Sequence, residues 1–278
     1  MPDPQHLELW ARWAGQHALP LFSAMLAVTL ATTLAGWWIA RRYNGPDFRF
    51  AQLPMRFLSL RFAVGLTVLL IGGFVFTAIA VELGADESLS RFDRAFTDTL
   101  RDSVTAPMVQ TFAVLTHLGD TATLVGLCIV MAIALALLGR WSLMLGWVVA
   151  VAGNGVLNTS LKNVFARVRP LGRDGLTLAD GFSFPSGHSS GSVVAYGMLA
   201  YLALRLLPVR WHLPALILAI ALAFTVGSSR MFLRVHFASD VIAGFASGAA
   251  WLALCITAIE LVRWLQQKRW GEGITEQR

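Results

Sequence analysis

The chain has 278 residues, of which 56% are hydrophobic and 14% charged, against about 25% charged in an ordinary soluble protein. With a mean hydropathy of +0.63, this excludes a water-soluble enzyme and indicates an all-α bundle that crosses a bilayer several times. The net charge of +6 sits in short clusters between apolar runs, which reads as topology and site charge rather than a nucleic-acid face.

The N-terminal M-P-D-P-Q-H-L-E lacks a basic n-region, so no cleavable signal peptide is expected. A first span is predicted over Leu19–Ala40, ending on Arg41 and Arg42, and a basic loop with Arg49, Arg56 and Arg61 follows. Phe62–Val81 is the second span. The polar stretch 82–120 holds a weak helical pattern over Ser90–Ser103, suited to lying along the interface. Thr121–Leu138 and Trp141–Leu161 are spans three and four, joined by a tight turn at Gly139-Arg140. Prolines and glycines break the polar island 162–188. Ser189–Leu207, Leu213–Ser228 and Val241–Leu265 complete seven spans, and a charged tail, 266–278, closes the chain. The division expected is an extra helix and basic loop over 1–61, a catalytic core over 62–265, and the tail. Cys128 and Cys255 lie inside apolar runs and are expected to pack rather than to pair.

Spans four and six run in the same direction, so the polar islands that follow them emerge on one face. Lys162, Arg167 and Arg169 form an anion cradle, with paired arginine donors matching phosphate oxygens. Pro185-Ser186-Gly187-His188 opens a helix whose first amides, with the Ser186 hydroxyl, bind an anion. Gly187 permits close approach, and His188 stands beside the anion. In Ser229-Arg230…His236…Asp240, the His and Asp are four apart and share a helical face. A carboxylate beside an imidazole fixes its tautomer and frees the other nitrogen.

Together these residues describe phosphoryl transfer with no metal and no cofactor. His236 attacks phosphorus and Asp240 orients it. Lys162, Arg169, Arg230, Ser186 and Gly187 hold the oxygens, and His188 protonates the leaving group and then activates water. A zinc site of two histidines and an aspartate is the chemical rival, disfavoured by the nearby cations. His117 is expected to pack in its loop or at the interface and Asp120 to cap the third span, while Arg173 lies on the pocket side, within reach of a distal phosphate but not assigned to the site.

These motifs resemble those of the type-2 phosphatidic acid phosphatase superfamily, which includes the vanadium-dependent haloperoxidases: K-x6-R-P, P-S-G-H and S-R-x5-H-x3-D. Here they read Lys162…Arg169-Pro170, Pro185–His188 and Ser229-Arg230…His236…Asp240. The likeness covers residues 60–264, including the approach segment Leu115–Asp120. It implies a six-helix core, with Leu19–Ala40 as an extra N-terminal helix, and the catalytic roles given above. Arg234 stands where many members have glycine, and Phe237 where many have tyrosine. Arg234 is expected either to contact the lipid headgroup or to be a solvated loop charge.

The substrate expected is a lipid phosphate or diphosphate, with polyprenyl diphosphate first and phosphatidylglycerol phosphate or phosphatidic acid second. Transfer of the phosphoryl group to another lipid is a related outcome. The five arginines between spans one and two are the densest short basic cluster. They predict a cytoplasmic C-terminus and an outward-facing site in a bacterial cytoplasmic membrane.

Overall fold

In hydrocarbon every backbone N–H and C=O must be bonded inside the protein, which leaves helices as the economical solution for a chain of long apolar runs. The computed structural model describes residues 4–45, 58–84, 87–170 and 181–275. Among these residues there are ten α-helices and no strand. They are α1 (Pro4–Gln16), α2 (Ala18–Asn44), α3 (Leu58–Ala80), α4 (Ser88–Ser103), α5 (Ala106–Thr116), α6 (Thr121–Leu137), α7 (Trp141–Phe165), α8 (Gly187–Leu206), α9 (His212–Phe232) and α10 (Ala238–Thr275). Arg49, Arg56 and Arg173 lie outside the described residues.

All seven expected spans are helices. Of these, α2, α3, α7, α9 and α10 are each long and apolar enough to cross a membrane, and α6 passes the same test only together with α5, from which it is bent by 41°. The remaining helix, α8, is rich in Ser and Gly and sits at the centre, packed on α7, α9 and α10. Its surroundings are protein rather than lipid, so it has no need of an apolar surface. Its 20 residues still reach about 30 Å, the thickness of a bilayer core.

Burying apolar surface contributes little between helices already in lipid, so close contact between small residues carries the association. Gly244 and Gly248 of α10 lie against the α8 backbone. A Cβ there would come within 2.6 Å of the Ser186 carbonyl and 2.8 Å of the Ser190 carbonyl. Helix α3 runs antiparallel along α10, with Gly65 on Thr257 and Gly72 on the Ala246 carbonyl. Leu135, Leu143, Trp147, Met198 and Ile259 fill the interior between α6, α7, α8 and α10, together with Cys255. Cys128 and Cys255 are both free thiols.

Two short helices extend the predicted pattern. Helix α1 packs on α4, and α5 packs on α9. Together α1, α4 and α5 form a layer across one end of the bundle, joined through Ala11, Phe96, Leu100, Phe112 and Phe232. Phe112 stacks on Phe232 at 4.2 Å. The extra helix α2 packs along α9, with Phe22 on Phe224 and Trp37 on His212. The stretch expected as a charged tail begins as a continuation of α10, which runs to Thr275.

Candidate active site

Five helix termini meet beneath the α1–α4–α5 layer: the C-termini of α7 and α9 and the N-termini of α6, α8 and α10. They surround a cavity of about 1130 Å³ lined by Lys162, Arg169, Gly187, His188, Arg230 and His236. The three separated polar islands thus converge as their spacing predicts.

His236 lies in the short loop between α9 and α10 and is 2% exposed. Its Nε2 accepts from Arg169 Nη1 at 3.0 Å, and its Nδ1 lies 3.4 Å from Asp240 Oδ2. Because arginine only donates, Nε2 carries the lone pair and the proton resides on Nδ1, toward the carboxylate. Burial pushes the ring's pKa down to about 3, so His236 is a neutral base at physiological pH.

Asp240 is fully buried and heavily tied. Oδ2 accepts from the Ser183 hydroxyl and from the Phe237 amide at 2.9 Å. The second of these bonds reaches back over the N-terminus of α10 in the manner of a capping box. Oδ1 accepts from Arg167 Nη1 at 2.6 Å.

Arg167 has a different place from the one its sequence neighbours indicate. Ala166 ends α7 in the left-handed conformation, φ 45°, and this turn sends Arg167 inward. Its guanidinium bridges Asp240 and Asp93 of α4, and it lies 4.4 Å from the Phe237 ring. Asp93 in turn accepts from the Ser239 amide at 3.1 Å and from the Ser239 hydroxyl. Arg167 therefore clamps the interfacial helix α4 onto the start of α10 and does not line the cavity. The exposed-end pattern of three cations gave no sign of this, because the partner Asp93 is 74 residues away.

Arg169 turns back over the site, donating to the Val235 carbonyl at 2.8 Å and the Gly181 carbonyl at 3.0 Å. Lys162 Nζ donates to the Phe182 carbonyl. Arg230 is 5% exposed. Its Nη1 donates to Thr116 at 2.8 Å, and its Nε is buried with no acceptor. A buried guanidinium N–H without a partner is costly, and a phosphate oxygen in the cavity would satisfy it.

Ser186 caps α8: its hydroxyl accepts from Ser189, and its own amide donates to the Asp240 carbonyl at 3.0 Å. It is fully buried, so the structure gives it a cap role rather than the expected phosphate contact. Gly187 lines the cavity, where a Cβ would meet Asn158 Oδ1 at 3.0 Å. Arg234 takes φ 54°, a conformation natural to glycine. Its nearby charges are Arg101 and Asp102 of α4, and the structure does not bring it to the cavity.

Asp120 stands at the N-cap position of α6, as expected, yet its side chain makes no cap. Oδ1 faces His188 Nε2 at 2.9 Å, and Oδ2 faces His117 Nδ1 at 2.7 Å. This carboxylate pairs with His188 as Asp240 pairs with His236. Asp120→Asn is expected to lower kcat at least tenfold while leaving KM within about twofold, since it acts through His188 and not on substrate binding. Steady-state kinetics on a lipid phosphate check this. Ser183, Thr116 and Asp93 are further contributors that the sequence motifs did not mark. No cluster of three metal-ligating side chains exists among the described residues.

The PAP2 superfamily model matches residues 141–264, which contain every residue of the three motifs. Phosphatidylglycerophosphatase B of Bacillus subtilis is 32% identical over 157 residues, covering 55% of this chain and 76% of that protein. The crystal structure of a transmembrane PAP2-type phosphatidylglycerolphosphate phosphatase from Bacillus subtilis superposes with a TM-score of 0.65 at 27% identity. That match covers 70% of this chain and 96% of the other. The helical fold, the convergent site and these matches agree: the chain belongs to the PAP2 superfamily and is one of its membrane-embedded lipid phosphatases.

Proposed function

We propose that the protein hydrolyses the terminal phosphomonoester of phosphatidylglycerol phosphate through a phosphohistidine at His236. The observation that carries the chemistry is the His236 Nε2 lone pair held at Arg169, with its other nitrogen toward Asp240. The lipid is favoured by the relatives above, both described as phosphatases of this glycerophospholipid. The polyprenyl diphosphate expected from the sequence has no such support.

The phosphate enters the cavity beside Lys162, Arg169, Arg230 and the amides at the start of α8, where the helix dipole also favours an anion. These groups hold the three non-bridging oxygens as the phosphoryl group moves. Nε2 of His236 forms a bond to phosphorus, and the bond from phosphorus to the glycerol oxygen breaks. His188 gives its proton to that oxygen, and Asp240 supports the positive charge on the phosphorylated ring. Water then attacks phosphorus, His188 takes its proton, and inorganic phosphate leaves with His236 restored.

A lipid panel in detergent tests both parts. Phosphate release is expected to be at least tenfold faster on phosphatidylglycerol phosphate than on polyprenyl diphosphate, and to persist in EDTA because arginine and lysine supply the charge. Faster release from the diphosphate overturns the substrate. Loss in EDTA that a divalent ion restores overturns the mechanism.

The cavity is read as opening on the outer face of a bacterial cytoplasmic membrane. The support is basic charge at the opposite end, where Arg41, Arg42, Arg61, Arg140, Arg205 and Arg210 lie. In a variant lacking the two native cysteines, Asp98→Cys is expected to react with an impermeant maleimide in intact cells and Arg210→Cys is not. The opposite labelling inverts the topology.

A further inference from the structure

Asp120 occupies the N-cap position of α6 with the extended backbone that a capping residue takes, φ -62° and ψ 147°. An aspartate there ordinarily turns its carboxylate onto the first amides of the helix it opens. This one makes no such bond and reaches away from α6, to His188 at 2.9 Å and His117 at 2.7 Å. The cap and the bond to His188 compete for one short side chain. Something must therefore hold the carboxylate in the second place.

His117 has the geometry to do so. It opens a 3-10 turn, His117–Gly119, three residues before Asp120. Its Nδ1 lies against Oδ2 of the carboxylate while Oδ1 faces His188. The turn is fixed by contacts outside itself. Thr123 of α6 donates to the His117 carbonyl at 2.7 Å, and Tyr196 of α8 donates to the Leu118 carbonyl at 2.7 Å. A Cβ on Gly119 would clash with Val226 and come within 2.9 Å of His188 Cδ2. The turn thus rests directly on the histidine that Asp120 serves. The side chains of His117 and Asp120 are 69% and 39% exposed. So open a pair adds little to stability, and stability does not account for a carboxylate drawn off its own helix.

We infer that His117 is a positioning residue for the acid–base step, holding Asp120 off the α6 cap and on His188. It acts through Asp120 and not on the substrate. Without its donor the carboxylate is free to return to the α6 amides. His188 then loses the acceptor that fixes its tautomer and supports its charge. The inference rests on the acid–base role proposed for His188.

Steady-state kinetics and thermal unfolding in detergent test it, with the lipid phosphate that the panel shows to be hydrolysed fastest. His117→Ala is expected to lower kcat at least about fivefold with KM within about twofold. Its unfolding temperature is expected to stay at or above that of the wild type, because the released carboxylate caps α6. His117→Asn, whose side-chain amide stands close to where Nδ1 stands, is expected to recover most of the lost kcat. The double variant His117→Ala with Asp120→Asn is expected to match Asp120→Asn alone, since the two residues act as one unit. A merely structural role would lower the unfolding temperature and would multiply the two losses. Wild-type kcat in His117→Ala, or multiplied losses in the double variant, overturns the inference and leaves the role of His188 standing when His188→Ala is inactive. Wild-type turnover in His188→Ala overturns that role and the inference with it.

Discussion

Replacing His236 with alanine is expected to abolish phosphate release, by about four to six orders of magnitude in kcat, while the protein still inserts and purifies as a folded species. The magnitude follows from removing the nucleophile of a unit whose members act together. Arg169, Lys162 and Arg230 remain in place and still bind the phosphate, so KM changes little. The ring faces the catalytic cavity, so its removal enlarges a space already present and does not leave a void in a packed core. Phosphate release and elution profile in detergent measure the two parts. A variant retaining more than about one hundredth of wild-type turnover is incompatible with His236 as nucleophile.

Asp240→Asn is expected to have the second largest effect and to differ in kind, lowering both activity and stability. The two carboxylate oxygens of Asp240 face only donors: Arg167 on one side, and Ser183, the Phe237 amide and His236 on the other. An asparagine must turn its own NH2 toward one of these sets. It also leaves Arg167 a single carboxylate, Asp93, in a buried position. Breaking a buried pair costs about 3 kcal/mol or more, and the wrong tautomer at the histidine costs roughly four orders of magnitude in kcat. Thermal unfolding in detergent is expected to fall by roughly 6 °C or more, together with the loss of phosphate release. A variant with unchanged unfolding temperature but lost activity would mean that Arg167 contributes no clamp. Unchanged activity would remove Asp240 from the mechanism.

The motifs were legible because each is local. Lys162 and Arg169, His188, and His236 with Asp240 lie at helix ends, and the alternating direction of the spans brings those ends to one face. What the sequence concealed is carried by contacts between distant segments. Asp93 meets Arg167 from 74 residues away, Arg230 meets Thr116 across 114, and Asp120 meets His188 across 68. None of these pairs has a spacing to mark it. Arg167 and Arg169 look equivalent in the chain, and only the left-handed turn at Ala166 separates a clamp from a cavity residue. Ser186 belongs to a motif of the site yet caps α8. Helices α1 and α5 are short and lie in the layer over the site, so neither produced a run long enough to read as a span. Arg234 illustrates the converse: it stood out in the sequence as a departure from the resembled motif, and its positive φ marks the position as one that suits glycine.

The central claim is that the phosphoryl group passes through His236. The most direct measurement is an alkaline quench of the working enzyme after mixing with lipid labelled at the terminal phosphate, followed by mapping of the acid-labile label. The account predicts label on His236 in the wild type and none in His236→Ala. Label persisting on the protein in His236→Ala, or absent from the wild type while phosphate is still released, would contradict it.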